Sequence, residues 1–441
     1  MRLVGWILAA GLLCAGAAEA ATVTVAFEGV RSSQGNVLAS LCNDPATFMK
    51  SCAGHQGLAK AAAGETVMTF PDVPPGRYAL QAFHDENGDF RAEVPPEGYA
   101  YGNDAIYPPS FDAAAFQVSG DTRIAVRMTY IAGVSPAGAG GSHGVAPPPG
   151  VSRVDLRQNG LYGELYLPVS GGGRRPAIVL MGGSEGGLDI ISGMAADFAR
   201  QGYAALALAY WKEQGLPQTL ELLPLEYFDK AVGWLKSRPD VDPKGIGAIG
   251  WSRGSEAVLL LGSRNPDVHA VVAVAPSGIV WAGINYGTGT TKSAWTAGGA
   301  PLPFATPVGA LYRPDSMRDM FAAAMPEVQS HPETEIPIER INGPVLFLSG
   351  GDDHLWPSRQ QAERMMVRLK AKGFRHDYAH LTYDGAGHVI FVGAPDGAMG
   401  RAMGQPSAML GGSTEADAKA WADNWPKVLA FYGKALKGDS K

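Results

Sequence analysis

A single serine stands in a setting that would make it a nucleophile. Ser252 lies at the centre of Gly250–Gly254 (Gly-Trp-Ser-Arg-Gly), between the apolar run Ile246–Ile249 and a helix-forming run over 255–261. A serine on a strand-to-helix turn, with glycine two positions to either side, is typical of a nucleophile elbow. The glycines are needed because a Cβ at either position would collide with the neighbouring strand or helix. The helix start also places backbone N–H groups where negative charge develops during acyl transfer.

Two further side chains are needed, because a serine hydroxyl is a weak nucleophile. A histidine must take its proton, and a carboxylate must hold that histidine in the correct tautomer. Asp352 and Asp353 follow the apolar strand Val345–Leu348, and His388 follows the strand Tyr378–Tyr383. The chain order of serine, acid and histidine, each at the carboxyl end of a strand, predicts a catalytic triad. Order and placement alone do not decide between the two aspartates.

A glycine-rich turn supplies the other part of such a site. The apolar strand Ala177–Met181 is followed by Gly-Gly-Ser-Glu-Gly-Gly at 182–187. Glycine lets backbone N–H groups approach a substrate oxygen closely, and Gly183 and Ser184 are the candidate donors in this turn. The N–H of Arg253, directly after the nucleophile, is a third candidate. We therefore predict an oxyanion hole formed by these three residues.

The elements around these residues predict an α/β fold. A two-residue hairpin signal, Asn159-Gly160, joins strand patterns at Ser152–Leu156 and Leu161–Leu167. Beyond it, continuous apolar strands alternate with amphipathic helices, which favours a mostly parallel sheet covered on both faces. Further strands are predicted at Ala177–Met181, Tyr203–Ala209, Ile246–Ile249, Val268–Val274, Val345–Leu348 and Tyr378–Tyr383, and helices at Leu188–Arg200 and Ser358–Lys372. With the elbow, this pattern predicts an α/β-hydrolase domain.

A different pattern precedes that domain. Residues 133–150 are rich in glycine, alanine, proline and serine and show no periodicity, which predicts a flexible linker. Before it, short runs with period-two alternation, such as Thr22–Phe27 and Ile124–Tyr130, are separated by turn clusters. They predict a small antiparallel β-sandwich domain over 21–132. The predicted hydrolase domain then spans 151–441.

One stretch of the predicted sandwich carries its own signature. Phe70–Leu80, followed by His-Asp-Glu-Asn-Gly-Asp at 84–89, resembles an uncharacterised bacterial family of secreted, transthyretin-like domains. Asp85, Asn87 and Asp89 stand at alternate positions, as in a calcium-binding loop. The glycine and glutamate that an EF-type loop needs at its sixth and twelfth positions are missing here. A hairpin turn rich in Asn, Asp and Gly is therefore favoured over a metal site.

The amino terminus has the features of a secretory signal peptide. Arg2 precedes the apolar run Leu3–Ala18, which closes on Ala-Glu-Ala at 18–20. The run is short for a membrane anchor, so we expect cleavage after residue 20, export to the periplasm or beyond, and no stable membrane span afterwards. Cys42 and Cys52 would then be the only cysteines, and in an exported protein we expect them to pair. Two free thiols are the alternative.

Several short motifs stand in the order found in one enzyme family. They are the turn 182–187, Ala-Tyr-Trp at 209–211, the elbow at 251–256, Ala-Pro-Ser-Gly at 275–278, Gly-Gly-Asp-Asp-His-Leu-Trp-Pro-Ser at 350–358 and Gly-Ala-Gly-His at 385–388. Together they resemble the C-terminal hydrolase domain shared by acyl-CoA thioesterases and bile acid-CoA:amino acid N-acyltransferases, over roughly 161–436. The resemblance implies Ser252 as nucleophile, His388 as base and Asp353 as acid, since the family's loop usually has Gly-x-x-Asp, starting here at Gly350. Two features depart from the family: its usual N-terminal domain differs, and an exported enzyme would not meet cytoplasmic acyl-CoA.

These features predict an exported serine hydrolase that acts through an acyl-enzyme on a small acyl ester or thioester. It would need no metal or organic cofactor. The net charge of −6, with both signs scattered over 441 residues, does not indicate a nucleic-acid partner. Acyl transfer to an amine or alcohol, and a non-catalytic binding protein of the cell envelope, are the alternatives. Residues 281–339, rich in Gly, Pro and Ala, stand where such folds insert a lid, and we expect them to shape the acyl pocket. The oligomeric state is left open.

Overall fold

The computed structural model divides into two compact units. It describes residues 20–49, 52, 54–86, 97–105, 109–130, 147–285, 290–307, 317–390, 392–394 and 410–437. The first unit comprises Met1–His84, Tyr99–Ala105 and Phe111–Thr129, and the second comprises Asp85–Gly98, Ile106–Ser110 and Tyr130–Lys441. Most of the predicted signal peptide and linker, and Asn87 and Asp89 of the calcium-like loop, lie outside the described residues. The predicted domain boundaries therefore stay a prediction.

Strands dominate the first part of the chain. Its described elements are β1 (Ala21–Val30), β2 (Asn36–Cys42), β3 (His55–Lys60), β4 (Gly64–Val73), β5 (Gly76–Asp85), β6 (Gly98–Tyr101), α1 (Phe111–Ala114), β7 (Ala115–Val118) and β8 (Thr122–Arg127). They form two sheets, one in the order β4-β1-β8 and the other in the order β3-β2-β5-β6, with β7 on β5. Val23, Val25 and Phe27 of β1 are buried, as the alternation predicts for a strand with one face toward a core.

One strand pairing differs from the predicted antiparallel sandwich. β1 runs antiparallel to β4, with Val23 opposite Phe70, but parallel to β8, with Val23 opposite Thr122. β8 follows β7, which belongs to the other sheet, so the chain reaches β1 by crossing between sheets. A short hairpin makes neighbouring strands antiparallel, whereas a crossover allows a parallel pair. Period-two alternation identifies strands but carries no information on their direction, which is why the prediction was wrong here.

A disulfide fastens one end of β2. It joins Cys42, the last residue of that strand, to Cys52, ten positions further on. The pairing predicted from the cysteine count is therefore confirmed. Closing so short a loop removes conformational entropy from the unfolded chain and is worth about 3 kcal/mol in the chain-entropy account.

The second unit alternates strands and helices, as its sequence predicts. Its described elements are β9 (Val151–Gln158), β10 (Leu161–Pro168), β11 (Arg175–Met181), α2 (Asp189–Arg200), β12 (Ala204–Ala209), β13 (Leu223–Pro224), α3 (Glu226–Lys236), β14 (Val241–Trp251), α4 (Arg253–Arg264), β15 (Ala270–Val274), β16 (Trp295–Ala297), β17 (Ala300–Pro301), α5 (Met317–Ala323), α6 (Met325–Ser330), β18 (Val345–Gly350), α7 (Ser358–Ala371), β19 (Tyr378–Tyr383) and α8 (Thr414–Leu436). β9 and β10 pair antiparallel through the Asn159-Gly160 turn. Among the described residues, no helix is both long and apolar enough to cross a membrane.

An eight-stranded sheet organises this unit. Its order is β19-β18-β15-β14-β11-β12-β10-β9, which numbered along the chain gives 1-2-4-3-5-6-7-8 from the β9 edge. The pairs of β10 with β9 and β12 are antiparallel, and every pairing from β12 to β19 is parallel. This is an α/β-hydrolase sheet, so the predicted fold class is confirmed. The carboxyl ends of the parallel strands meet at one edge, where the predicted site residues lie.

The continuous apolar strands are explained by burial on both faces. Along β12, the residues Ala204, Leu206 and Leu208 enter one core, and the alternate alanines enter the other. The first core also contains side chains of α3, α4 and α7, and the second contains side chains of α2 and α8. Because side chains alternate across a strand, a run without polar residues is what a doubly covered sheet requires.

Candidate active site

The turn at Ser252 is held by close contacts between backbones. β14 ends at Trp251, α4 begins at Arg253, and Ser252 between them has φ 56° and ψ −123°. Side-chain-bearing residues seldom adopt this conformation, which costs about 1–3 kcal/mol and is typical of functional turns. A Cβ on Gly250 would collide with the carbonyl of Gly254, and a Cβ on Gly254 would collide with the carbonyls that end β11. The predicted need for both glycines is confirmed.

The three predicted triad residues form one hydrogen-bonded chain. Ser252 Oγ lies 2.9 Å from His388 Nε2, and His388 Nδ1 lies 2.9 Å from Asp353 Oδ2 and 3.1 Å from Oδ1. An ionised carboxylate can only accept, so Nδ1 carries the proton and Nε2 is left to accept from the serine hydroxyl. Ser252 is 3% exposed, Asp353 2% and His388 0%. Their interactions are therefore little weakened by water.

The Asp353 carboxylate is fixed by its own loop. Oδ1 accepts from the backbone N–H of Leu355 (3.0 Å) and Trp356 (3.2 Å), and Oδ2 accepts from Ser358 Oγ at 2.6 Å. These hydrogen bonds set the orientation of the carboxylate toward the imidazole. Ser358 begins α7 and was part of the sequence motif, but its hydroxyl had no predicted role. A serine five residues after the acid is the signal that could have found it.

Asp352 faces away from the imidazole. Its Oδ1 lies 2.9 Å from His354 Nε2, and its Oδ2 accepts from the N–H of Gly412 at 3.0 Å. The side chain is 47% exposed. Asp352 thus joins the loop after β18 to the segment just before α8. Of the two aspartates, the structure brings only Asp353 to His388.

The His388 loop is held from both sides. Trp251 Nε1 donates to His388 O (3.1 Å), and the rings of Trp251 and Trp356 have their centroids 5.5 and 5.9 Å from the imidazole. The residue before the histidine, Gly387, donates its N–H to Asp417 Oδ1 at 2.8 Å. Burial raises the pKa of Asp417 to about 6. Two aromatic rings and one buried acceptor therefore hold the His388 loop in place.

The glycine-rich turn lies beside the elbow. A Cβ on Gly183 would stand 2.8 Å from Ser252 Cβ, so the turn passes directly over the predicted nucleophile. Arg253 is the first residue of α4, where an N–H has no acceptor within the helix. The N–H of Gly183, however, donates to Glu185 Oε1 at 2.6 Å. Only backbone groups of this turn were predicted to act, and Glu185, the single acidic residue in the run of glycines at 182–187, had no predicted role.

A buried ion pair joins the nucleophile helix to the segment that follows β15. Arg253 Nη1 lies 2.8 Å from Glu256 Oε1, and Arg253 Nη2 donates to Ala282 O at 3.0 Å. Glu256 Oε2 accepts from Trp295 Nε1 at 3.0 Å. Burial raises the pKa of Glu256 to about 7 against the attraction of Arg253. The Arg253 side chain is thus structural, which leaves only its backbone N–H for the predicted oxyanion role.

Comparisons with known proteins show which family the chain belongs to. A family model described as BAAT / acyl-CoA thioester hydrolase C terminal matches residues 223–438, and one for an uncharacterised protein conserved in bacteria matches 25–125. Human acyl-coenzyme A thioesterase 1 is 35% identical over 300 residues, which cover 66% of this chain and 67% of that protein. The chain belongs to the BAAT/acyl-CoA thioesterase C-terminal family. It is therefore a hydrolase-family enzyme.

Other relatives carry related names. Human mitochondrial acyl-coenzyme A thioesterase 2 is 34% identical and is covered over 58% of its length. Mouse acyl-coenzyme A amino acid N-acyltransferase 1 is 31% identical, with 65% of this chain and 66% of that protein covered. Among solved structures, a puromycin-hydrolysing peptidase of Mycobacterium tuberculosis aligns over 87% of this chain and 52% of its own, at 13% identity and a TM-score of 0.42. A dienelactone hydrolase-like phosphotriesterase from metagenomic libraries aligns over 65% of this chain and 98% of its own, at 18% identity and a TM-score of 0.38.

The contrast between the two aspartates gives a matched pair of variants. Asp353→Asn should lower kcat for a small ester by about 10⁴-fold, because the amide no longer holds the imidazole in the productive tautomer. Asp352→Asn should cost less than about tenfold, because it weakens an exposed loop contact. Steady-state kinetics on p-nitrophenyl acetate, with circular dichroism as the folding control, compares them. A larger loss for Asp352→Asn would move the acid to that residue.

Proposed function

We propose that this protein is an exported serine hydrolase that cleaves an acyl ester or thioester through an acyl-enzyme on Ser252. The proposal rests above all on the hydrogen-bonded chain from Ser252 Oγ through His388 to Asp353. Membership of a thioesterase family supports acyl transfer as the reaction class. Thioesters and activated esters share a carbonyl carbon open to attack by a serine alkoxide, so one site can serve both.

Acylation follows from the arrangement of the three side chains. His388 Nε2 takes the hydroxyl proton as Ser252 Oγ attacks the substrate carbonyl carbon, and Asp353 stabilises the imidazolium that forms. The carbonyl π electrons move onto oxygen and give a tetrahedral oxyanion beside the start of α4. The intermediate collapses as His388 returns the proton to the departing alcohol or thiol. The acyl group remains as an ester of Ser252.

Deacylation repeats these steps with another nucleophile. Water gives a proton to His388 Nε2 and attacks the carbonyl carbon of the acyl-enzyme. His388 then returns the proton to Ser252 Oγ as the acyl–oxygen bond breaks, which releases the carboxylic acid and restores Ser252. The oxyanion in both steps would accept from the N–H groups of Arg253 and Ser184, and from Gly183 when that N–H is not engaged by Glu185. An amine or alcohol acceptor in place of water would make the same site an acyltransferase.

The segment after β15 is the proposed wall of the acyl pocket. Its residues Trp281 and Trp295 are buried and are tied by hydrogen bonds to Glu256 on the nucleophile helix. These hydrogen bonds to the helix that follows the nucleophile would fix the position of the acyl-binding wall relative to the reacting atoms.

Replacing the nucleophile tests the proposal. Ser252→Ala should lower hydrolysis by about 10⁴–10⁶-fold with the fold retained, because only the reactive oxygen is lost. Ser263→Ala is the matched control, since that hydroxyl lies on the same helix and donates only to Leu260 O (2.9 Å) in the structure. A panel of p-nitrophenyl esters and acyl thioesters, assayed with and without amine acceptors, gives the readout. Wild-type turnover by folded Ser252→Ala would refute Ser252 as the nucleophile. Acyl-amine products would show that the enzyme transfers the acyl group to an acceptor instead of hydrolysing it.

Export is a further part of the proposal. The basic residue, apolar run and Ala-Glu-Ala end of 1–20 support it, as does the disulfide between Cys42 and Cys52. Disulfides persist in oxidising compartments, and acyl-CoA is not available there. We therefore expect an ester or thioester other than a cytoplasmic CoA derivative to be the substrate.

The mass of protein recovered from the cell envelope tests this part. We expect a chain that begins at Ala21 and takes up no alkylating reagent until it is reduced, after which two thiols react. Alkylation of denatured protein before and after reduction, followed by intact-mass measurement, gives both results. A chain that retains 1–20, or two thiols that react before reduction, would contradict export.

A further inference from the structure

The side chain of Glu185 lies over the predicted oxyanion hole. It is 7% exposed, and its Oε1 accepts the N–H of Gly183 at 2.6 Å. A Cβ on Gly183 would stand 2.9 Å from Glu185 Oε2 and 2.8 Å from Ser252 Cβ. The carboxylate is therefore a close neighbour of the position where the oxyanion of a substrate would form.

Other hydrogen bonds hold the backbone of this turn, so the Glu185 carboxylate is the group that can move. Tyr210 Oη donates to Gly182 O at 2.6 Å, and Trp211 Nε1 donates to Gly183 O at 3.3 Å. Both peptide groups are thus anchored through their carbonyls, which fixes the direction of the Gly183 N–H. A substrate oxygen that needs this N–H must displace the glutamate, since the backbone is held.

An ionised Glu185 and a substrate oxyanion exclude each other. Both are acceptors for the same N–H, and two negative charges a few ångströms apart in a dry site repel strongly. Oxyanion stabilisation by one such donor is typically worth about 10²–10³-fold in rate. A carboxylate at this position would therefore remove one donor and oppose the charge that develops.

We propose that Glu185 gates the oxyanion hole: it occupies the Gly183 N–H when ionised and releases it when protonated, so that only the neutral acid allows efficient acylation. The inference rests on the proposed function of Ser252. Protonation transfers one proton from solvent to the carboxylate and requires no other reactant. In the neutral form the acid can also turn its O–H toward the substrate oxygen as an additional donor.

The groups that face Glu185 set where this change occurs. Burial raises the pKa of Glu185 to about 7, while the charges of His388 and Lys212 lower it. The phenol of Tyr210 also faces it, and burial together with Glu185 raises the pKa of Tyr210 well above its usual range, so that group stays neutral. Glu185 is therefore expected to lose its proton as the pH rises through about 7.

The gate predicts a falling alkaline limb in the pH profile. Acylation would need neutral Glu185, so the ionisation of this side chain limits the rate above about pH 7. If the ionised form is inactive, kcat/KM at pH 9 should lie about 100-fold below its maximum, since each pH unit above the pKa costs tenfold. In Glu185→Gln this limb should disappear, because the side chain can no longer become negative.

The experiment measures kcat/KM for p-nitrophenyl butyrate from pH 5 to 9, after subtraction of spontaneous hydrolysis. Wild type, Glu185→Gln and Glu213→Gln are compared as the mature chain. Glu213 is the control because its buried carboxylate lies beside Gly187 in the same region, and its variant should keep the falling limb. Glu185→Gln should exceed wild type by at least tenfold at pH 9 and match it within about threefold at pH 6.

A falling limb that survives in folded Glu185→Gln would overturn the proposal. A wild-type profile that stays level to pH 9 would also overturn it, and that measurement needs no variant to fold. Either result leaves the proposed function intact, because that is judged separately by the inactivity of Ser252→Ala. If Ser252→Ala hydrolyses the ester normally, the proposed function fails first.

Discussion

Close packing of backbone against backbone at the elbow constrains the rest of the site. Ser252 can leave the sheet only where β14 and α4 approach so closely that Gly250 and Gly254 have no room for a Cβ. The same contact places the carbonyls at the end of β11 against Gly254, and so brings the glycine-rich turn over the serine. Nucleophile and oxyanion donors are thus positioned by one packing constraint.

Because the site is buried, each of its charged groups needs a partner within the protein. Asp353 is almost fully enclosed and has donors from its own loop, from Ser358 and from His388. Arg253 and Glu256 form an ion pair, and they also hydrogen-bond Ala282 and Trp295 respectively. An unpaired charge at such depth would cost several kcal/mol, so these partners stabilise the fold while they orient the site. Glu185 differs from these residues, because the Gly183 N–H that it accepts is also a proposed donor to the oxyanion.

The sequence predicted the parts of this arrangement that depend on local pattern. Continuous apolar runs identified most strands of the eight-stranded sheet. The order and spacing of the motifs identified Ser252, Asp353 and His388 as candidate triad residues. It could not give the parallel pairing of β1 with β8, because strand direction depends on which sheet the chain enters. It also missed Glu185, since the residue acts through a side chain that folds back on its own turn, and no periodicity records that contact.

Labelling with a fluorophosphonate tests whether Ser252 is an activated nucleophile. The reagent phosphonylates a serine only where a neighbouring base activates it, and tryptic cleavage after Lys244 and Arg253 isolates the nucleophile in the peptide Gly245–Arg253. We expect a single phosphonate on Ser252, complete loss of ester hydrolysis, and no labelling of Asp353→Asn on the same timescale. A label on another serine, or full activity after Ser252 has been modified, would rule out Ser252 as the nucleophile.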